Sequence, residues 1–267
     1  MLAVSAILLL IAALGIYMLL EAGWPKVERL DFSRDGNGIR IMHLSDLHVF
    51  LSRIPARKIR EIVKMENPDV ILISGDYINV PLHAAYFLEY LHTFCKGYRT
   101  IICFGNHDLQ AFSGNKPGLD NFIREIEALQ VEVLINRSVV VEKYSKKYNI
   151  IGIDDLREGN PDIEKALVGC IQGSPKIGIT HNPDLVLQIP GKSVDYMFCG
   201  HFHGGQIWMP FNLEFVLLRK EQLCRMGIRR GYHQINGMKV YLNRGLGNVV
   251  VPLRFMSRPE ILICTIP

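Results

Sequence analysis

The chain predicts an α/β fold, two packed sheets with helices on their outer faces, preceded by a membrane-spanning helix. Three observations predict it. An apolar run without a single charge fills residues 2–20. Between residues 39 and 128, apolar stretches of strand length alternate with stretches of helical spacing. After that, short strand patterns follow one another with few helical signals.

Taken in order, "AVSAILLLIAALGIYMLL" is long enough to cross a bilayer and shows no polar face, as a core helix would. A cleaved signal peptide is the competing reading. It calls for a basic leader and a small-residue cleavage site, whereas no Lys or Arg precedes the run and it exits through "LLEAGWP". Residues 1–21 are therefore expected to be a retained anchor, 22–38 a connection and 39–267 the functional domain. Trp24 stands where interfacial aromatics are usual, and Lys26, Arg29, Arg34 and Arg40 follow the run, which places the domain in the cytoplasm, with the chain single-pass in the cell membrane.

"IRIMHLSD" reads as a strand, with His43 packed inside it, and "ARKIREIVKM" as a helix with Ile59, Ile62 and Val63 on one face. "DVILISGD" is a strand buried on both sides, "LHAAYFLEYLHTF" a helix carrying His83 and His92, "RTIICFGNHD" another buried strand and "LDNFIREIEALQ" a helix. This alternation implies a parallel sheet covered by helices. "VEVLINRSVVVEKYSKKYNIIGIDD" gives two or three short strands, and "KIGITHNPD", "DYMFCGHFH", "GMKVYLNRG" and "EILICTIP" give more, with His233 left to a loop.

Composition narrows the class. The six cysteines are scattered singly, most in apolar runs, as buried thiols and not as a disulfide framework or a zinc ribbon. A net charge of +4 over 267 residues is too small to indicate nucleic acid.

The buried strands end alike, in "SDLH", "SGD", "FGNHD", "ITHNPD" and "CGHFHGG". Ligands of α/β sheets bind at the carboxyl ends of strands, so these tips bring Asp46, His48, Asp76, Asn106, His107, Asp108, His181, His201 and His203 into one crevice. Carboxylates at buried strand ends need cations among them. Asp46, Asp76 and Asn106 offer oxygen; His48, His181, His201 and His203 offer imidazole nitrogen. Seven mixed donors exceed one divalent ion but serve two if a carboxylate bridges. Nitrogen and oxygen without thiolate suits manganese, iron or zinc, and two such ions form a clamp for in-line displacement at phosphorus. Singly these motifs mean little: "DLH" is common and "SGD" can be a plain turn. "GNHD" at a buried strand end has little structural purpose, and the five in this order have none.

The ordered set "SDLH", "GD", "GNHD", "THNPD" and "GHFHGG" resembles the calcineurin-like metallophosphoesterase superfamily from residue 39 to the end. "GHFHGGQI" with "VYLNRGLG" and "RPEI" is similar to its membrane-anchored bacterial phosphodiesterase group. The resemblance implies a four-layer α/β/β/α sandwich of two mixed sheets. It implies one ion held by Asp46, His48, Asp76 and His203, a second by Asp76, Asn106, His181 and His201, and a hydroxide between them as nucleophile. His107 would stabilise or protonate the reacting phosphate, oriented by Asp108.

Departures from subfamily patterns exclude some classes. Protein phosphatases of the superfamily carry Asp-Arg-Gly after the second motif and Glu in the third, where this chain has "GDYINVP" and "GNHD". Purple acid phosphatases place a tyrosine ligand three residues after the bridging aspartate, where this chain has Asn79, with Tyr77 adjacent to Asp76. Lipid A pyrophosphatases mostly have arginine at the place of His107. A UDP-2,3-diacylglucosamine pyrophosphatase of lipid A synthesis stays an alternative, as does, in another class, an inactive membrane-bound interaction module on the same fold. The expected activity is phosphodiesterase or pyrophosphatase hydrolysis of a phosphorylated, membrane-associated and possibly lipid-linked substrate. "VFLSRIPARK", with Phe50 and Leu51 expected beside the metals, and the basic run "LLRKEQLCRMGIRR" suit a surface lying on anionic lipid.

Overall fold

The computed structural model describes residues 1–33 and 36–267, so the expectation placed on Arg34 lies outside the described residues. The chain opens with α1 (Leu2–Ala22), then β1 (Lys26–Asp31), β2 (Ile39–Leu44), α2 (Ala56–Glu66), β3 (Val70–Ser74), α3 (Ala84–Cys95), β4 (Thr100–Cys103), α4 (Asn106–Ala111), α5 (Lys116–Ala128) and β5 (Val131–Val133). The second half comprises β6 (Arg137–Lys143), β7 (Lys146–Gly152), α6 (Ile163–Leu167), β8 (Lys176–Ile179), β9 (Tyr196–Cys199), α7 (Leu213–Leu218), α8 (Gln222–Arg225), β10 (Gly231–Ile235), β11 (Met238–Leu242) and β12 (Glu260–Ile266).

Among the described residues the strands form two sheets, ordered β1-β12-β2-β3-β4-β5 and β10-β11-β9-β8-β7-β6. Both are mixed: β12 runs antiparallel to β2, and β6 and β10 are antiparallel edges of an otherwise parallel second sheet. Alternation of side chains along the strands sorts the core into three slabs. Ile41, Leu72, Ile101, Ile177, Phe198 and Leu262 pack between the sheets. Met42, Leu44, Ile71 and Ile73 face α2, α3 and α5 through Ile59, Phe87 and Phe122. Met197, Cys199, Val240 and Leu242 face Ala166 and Leu223 on the far side. The result is the expected four-layer α/β/β/α sandwich.

Two strands depart from the sequence reading. The stretch read as a connection contains β1, which joins the first sheet in parallel with β12, from Lys26↔Glu260 to Asp31↔Thr265. "KVERLD" is too charged to read as a strand; it is tolerated because it is a half-exposed edge, where charge is favoured. His233 lies in β10 and not in a loop, on an edge hairpin closed by Asn236 and Gly237. The basic groups that follow α1 are paired with acids: Lys26 with Glu28, and both Arg29 and Arg40 with Glu66.

One helix among the described residues, α1, is long and apolar enough to cross a membrane. Its last turns dock on the domain. Met18 O accepts the Arg254 N–H at 3.1 Å, and the buried Glu21 carboxylate accepts the N–H groups of Met256 and Ser257 at 3.0 and 2.8 Å.

Candidate metal centre

The site forms where the carboxyl ends of β2, β3 and β4 in one sheet meet those of β8 and β9 in the other. Backbone bonds stitch the tips together: Asp46 N to Gly75 O at 3.0 Å, His48 N to Asp76 O at 3.0 Å and Gly200 N to His181 O at 3.1 Å. Gly105 and Gly200 allow this approach. A Cβ on Gly105 would lie 2.3 Å from Asp76 Oδ1, and one on Gly200 would lie 1.8 Å from Ser45 Oγ. The site residues are bent into left-handed backbone, with φ of 49° at Asp46, 34° at His48, 57° at Asp76, 76° at His201 and 52° at His203. Each such residue costs about 1–3 kcal/mol, strain that persists only where the surroundings impose it.

Six of the seven expected donors come together in two buried groups, and the seventh, Asn106, is buried and lines the same cavity as Asp76 and His201. Asp46, His48 and His203 form one group and Asp76, His181 and His201 a second, each with its donor atoms within 4.8 Å of one another. Asp76 Oδ2 lies between the groups, 3.0 Å from His181 Nε2 and 3.7 Å from His48 Nε2. His203 Nε2 is 3.1 Å from Asp46 Oδ1.

The hydrogen bonds fix which nitrogen each ring presents. His181 Nδ1 donates to Ser74 O at 2.9 Å, His201 Nε2 to Glu221 Oε1 at 2.9 Å and His48 Nδ1 to Asn79 Oδ1 at 3.2 Å. The opposite nitrogens carry the lone pairs, and those of His181 and His201 face each other at 3.1 Å. A divalent ion fits between two ring nitrogens so placed, and in its absence a proton on His181 Nε2 bridges them. His48 Nε2 and Asn106 Oδ1 are buried without a hydrogen-bond partner among the described residues. Such orphaned ligand atoms, with outer partners on the far side of the His48, His181 and His201 rings, fit divalent ions.

The electrostatics agree. Burial alone would raise the Asp46 and Asp76 carboxyls, but the imidazoles around them outweigh it and hold both well below the usual carboxylate range. Burial likewise lowers His181, yet Asp76 and Asp46 overcome it and lift it to about 10. His48, with burial dominant, falls to about 4.

His107 stands at the mouth, half-buried, its N–H bonded to Asp76 Oδ1 at 2.9 Å and its ring 5.3 Å from that of His48. Asp108 does not orient it. Among the described residues no hydrogen bond joins the two, because the Asp108 carboxylate is taken up by the backbone N–H groups of Asp76, Tyr77, Ile78 and Gly105 at 2.7–3.0 Å. It braces the two strand tips that carry Asp76 and Asn106.

His43 is structural as expected, packed against Phe198 and hydrogen-bonded to Ser74 Oγ at 2.8 Å. Phe50 does not reach the metal groups: it is exposed and stacks on His83, with ring centroids 4.5 Å apart. From the basic run, Arg219 turns inward to His201 O at 2.7 Å, beside the Glu221 contact. Arg254, fully buried, donates to the carbonyls of Arg244, Gly245, Gly247 and Ser257 at 2.6–3.2 Å, and Gly247 N in turn holds Asp46 O at 2.6 Å. Sequence reasoning missed Glu221, Asn79 and Arg254 in these supporting roles; the stretches "VYLNRGLG" and "RPEI" flank the last.

The site opens into a cavity of about 780 Å³ whose lining includes Asp76, Asn106, His107, His201 and His203. A family model for calcineurin-like phosphoesterases matches residues 39–205. The chain is 30% identical over 227 residues to the uncharacterized metallophosphoesterase YkoQ of Bacillus subtilis, covering 84% of this chain and 82% of that one. It is 28% identical to the phosphodiesterase YaeI of Escherichia coli, covering 90% and 88%. It is 26% identical to the UDP-2,3-diacylglucosamine pyrophosphatase LpxG of Chlamydia muridarum, covering 91% and 90%. With that match and the paired donor groups of the two sheets, the chain belongs to the calcineurin-like phosphoesterase family and is a metal-dependent phosphoester hydrolase.

Proposed function

We propose that Asp46, His48, Asp76 and His203 hold one divalent ion and Asp76, Asn106, His181 and His201 a second, with Asp76 shared, and that the pair hydrolyses a phosphodiester or pyrophosphate carried by a membrane-associated molecule. The facing lone pairs of His181 and His201, with Asp76 Oδ2 3.0 Å from the first, carry this reading. The nitrogen and oxygen donor set suits manganese, iron or zinc. When bound, such ions polarise the phosphoryl oxygens and make water a nucleophile near neutral pH.

The chain's own groups do the rest. His107 reaches the phosphate from the mouth and passes a proton to the leaving oxygen. Asp108 keeps the turns after β3 and β4 in register. Glu221, Asn79 and the Ser74 carbonyl hold three imidazoles in the tautomer that turns a lone pair inward. Residues 1–21 anchor the chain, and the domain begins at β1, not at residue 39. Lys26, Arg29 and Arg40 beyond the anchor support a domain on the cytoplasmic side, which a topology reporter on the carboxyl terminus tests.

The central test is elemental analysis combined with hydrolysis of a chromogenic phosphodiester in added manganese. Two ions per chain are expected. Asp76→Asn should lose both and abolish turnover. His107→Ala should keep the metal and lose about 10²–10⁴-fold in kcat. One ion or fewer in active protein, or turnover that survives chelation, would overturn the assignment; a silent interaction module would hydrolyse nothing.

A further inference from the structure

We infer that the cavity over the metal-ligating residues is an amphiphile site, in which the apolar wall formed by residues 207–218 and 249–251 takes a hydrocarbon chain of the substrate delivered from the bilayer that α1 enters. This rests on the function proposed above and names the substrate class: a phosphoester or pyrophosphate whose phosphate is linked, directly or through a small headgroup, to an alkyl or acyl chain.

The cavity lining is of two kinds. Asp76, Asn106, His107 and His201 are polar, with Arg157 and Arg219 supplying positive charge. Ile207, Met209, Leu218, Val249, Val250 and Val251 are apolar. A site for a soluble phosphate has no need of an apolar half. Nor does that half close on itself: Val250 is 91% exposed, Leu218 72% and Phe211 89%, and Val216 and Leu217 beside them are also exposed. The short α7, "LEFVLL", buries only Glu214 and Phe215 and turns its other apolar side chains outward. A contiguous apolar rim around a polar cleft marks a surface that meets something apolar.

What it meets follows from where the wall is attached. The Gln206 side chain donates to Val249 O and Val251 O, each at 3.0 Å, and accepts from Val249 N at 2.9 Å, which pins the two halves of the wall together. The same strip pairs with Phe255, through Phe255 N to Gln206 O at 3.0 Å and Trp208 N to Phe255 O at 2.9 Å. The Phe255 ring meets Tyr17 of α1 edge-on, with centroids 6.0 Å apart. Arg254, next to it, is bonded to Met18 O. The wall is thus tied, through Phe255 and Arg254, to the last turns of the one helix among the described residues that can cross a membrane. A chain lying in the bilayer needs no aqueous transfer to reach it.

The test uses the full chain in nanodiscs with manganese and 4-nitrophenyl alkyl phosphodiesters bearing methyl, butyl or hexyl groups, short enough to stay in solution. Full burial improves binding about fourfold per methylene. The parent is expected to gain at least about tenfold in kcat/KM from methyl to hexyl, chiefly through KM. Leu218→Asp and Val250→Asp should each flatten that hexyl-to-methyl ratio, with metal content retained as the check on folding. A flat series in the parent, or variants that keep the parental ratio, would overturn the inference. Hydrolysis of none of the esters would instead sink the two-metal reading. In that event, calorimetric binding of methyl against hexyl phosphate still decides the wall: a hexyl preference lost in both variants supports it, and no preference overturns it.

Discussion

Glu221 is the residue on which the sequence was most misleading. It stands as the lone acid in a basic run that reads as a surface lying on anionic lipid. In the fold it is half-buried and accepts a hydrogen bond from His201; burial would raise its carboxyl, but that contact outweighs it and brings it down to about 2. Such outer partners are worth about 10–100-fold in metal affinity. Glu221→Ala should therefore weaken metal binding by that factor in a manganese titration, while Glu221→Gln, which keeps an acceptor oxygen, should restore part of it. His181 offers a second prediction. Its neighbours Asp76 and Asp46 raise it to about 10 in the metal-free protein, so it carries a proton at neutral pH. A ligand imidazole must be neutral, so metal binding displaces that proton and affinity rises as pH climbs through the range below 10. Calorimetry at pH 7 in buffers of different ionisation enthalpy should register proton release. The seven donors themselves were legible because each closes an apolar run, where a polar side chain has no packing role. The work of Asp108 was not, since three of its four partners are backbone groups in the turn after a different strand.

At the level of elements, strands and helices with a clean apolar period were readable, and those whose period is diluted by charge or exposure were not. β3 is buried throughout and could hardly be mistaken. β1 and β10 are edges whose side chains alternate with water, and nothing local separates "KVERLD" or "GYHQI" from a loop. The turns after β3 and β4 show what the elements exist to hold. Gly105 N–H bonds Asp108, and its missing side chain leaves room for Asp76 Oδ1. Gly105→Ala would drive a methyl into that carboxylate. We expect a loss of about 1–3 kcal/mol in chemical denaturation, as for overpacked sites, together with lost metal occupancy. The same change at Gly114, which has open space around it but φ of 72°, should leave metal occupancy intact.

For the whole molecule, the division into anchor, connection and domain changes once the contacts of α1 are seen. The sequence shows an apolar run and a charged stretch after it, and has no means of showing that Glu21 folds back onto residues more than two hundred positions away. That carboxylate satisfies the N–H groups of Met256 and Ser257, and the Ser257 hydroxyl bonds His203 O at 3.2 Å. Leaving buried N–H groups unpaired costs about 1–3 kcal/mol. Glu21→Ala should thus lower the melting temperature of the full chain by a few degrees, read by thermal unfolding in detergent, with Glu21→Gln falling between the two.

This clasp between helix and domain also has a geometric consequence. A helix joined by a flexible leash could tilt to match the bilayer while its cargo stayed level. Here the last turns are bonded to the body, so under the proposed anchoring a lipid mixture whose hydrophobic thickness forces the 21-residue helix to lean would lean the catalytic opening by the same angle. Turnover of a lipid-embedded substrate would then follow membrane thickness, with an optimum at the thickness that leaves the opening flush with the leaflet.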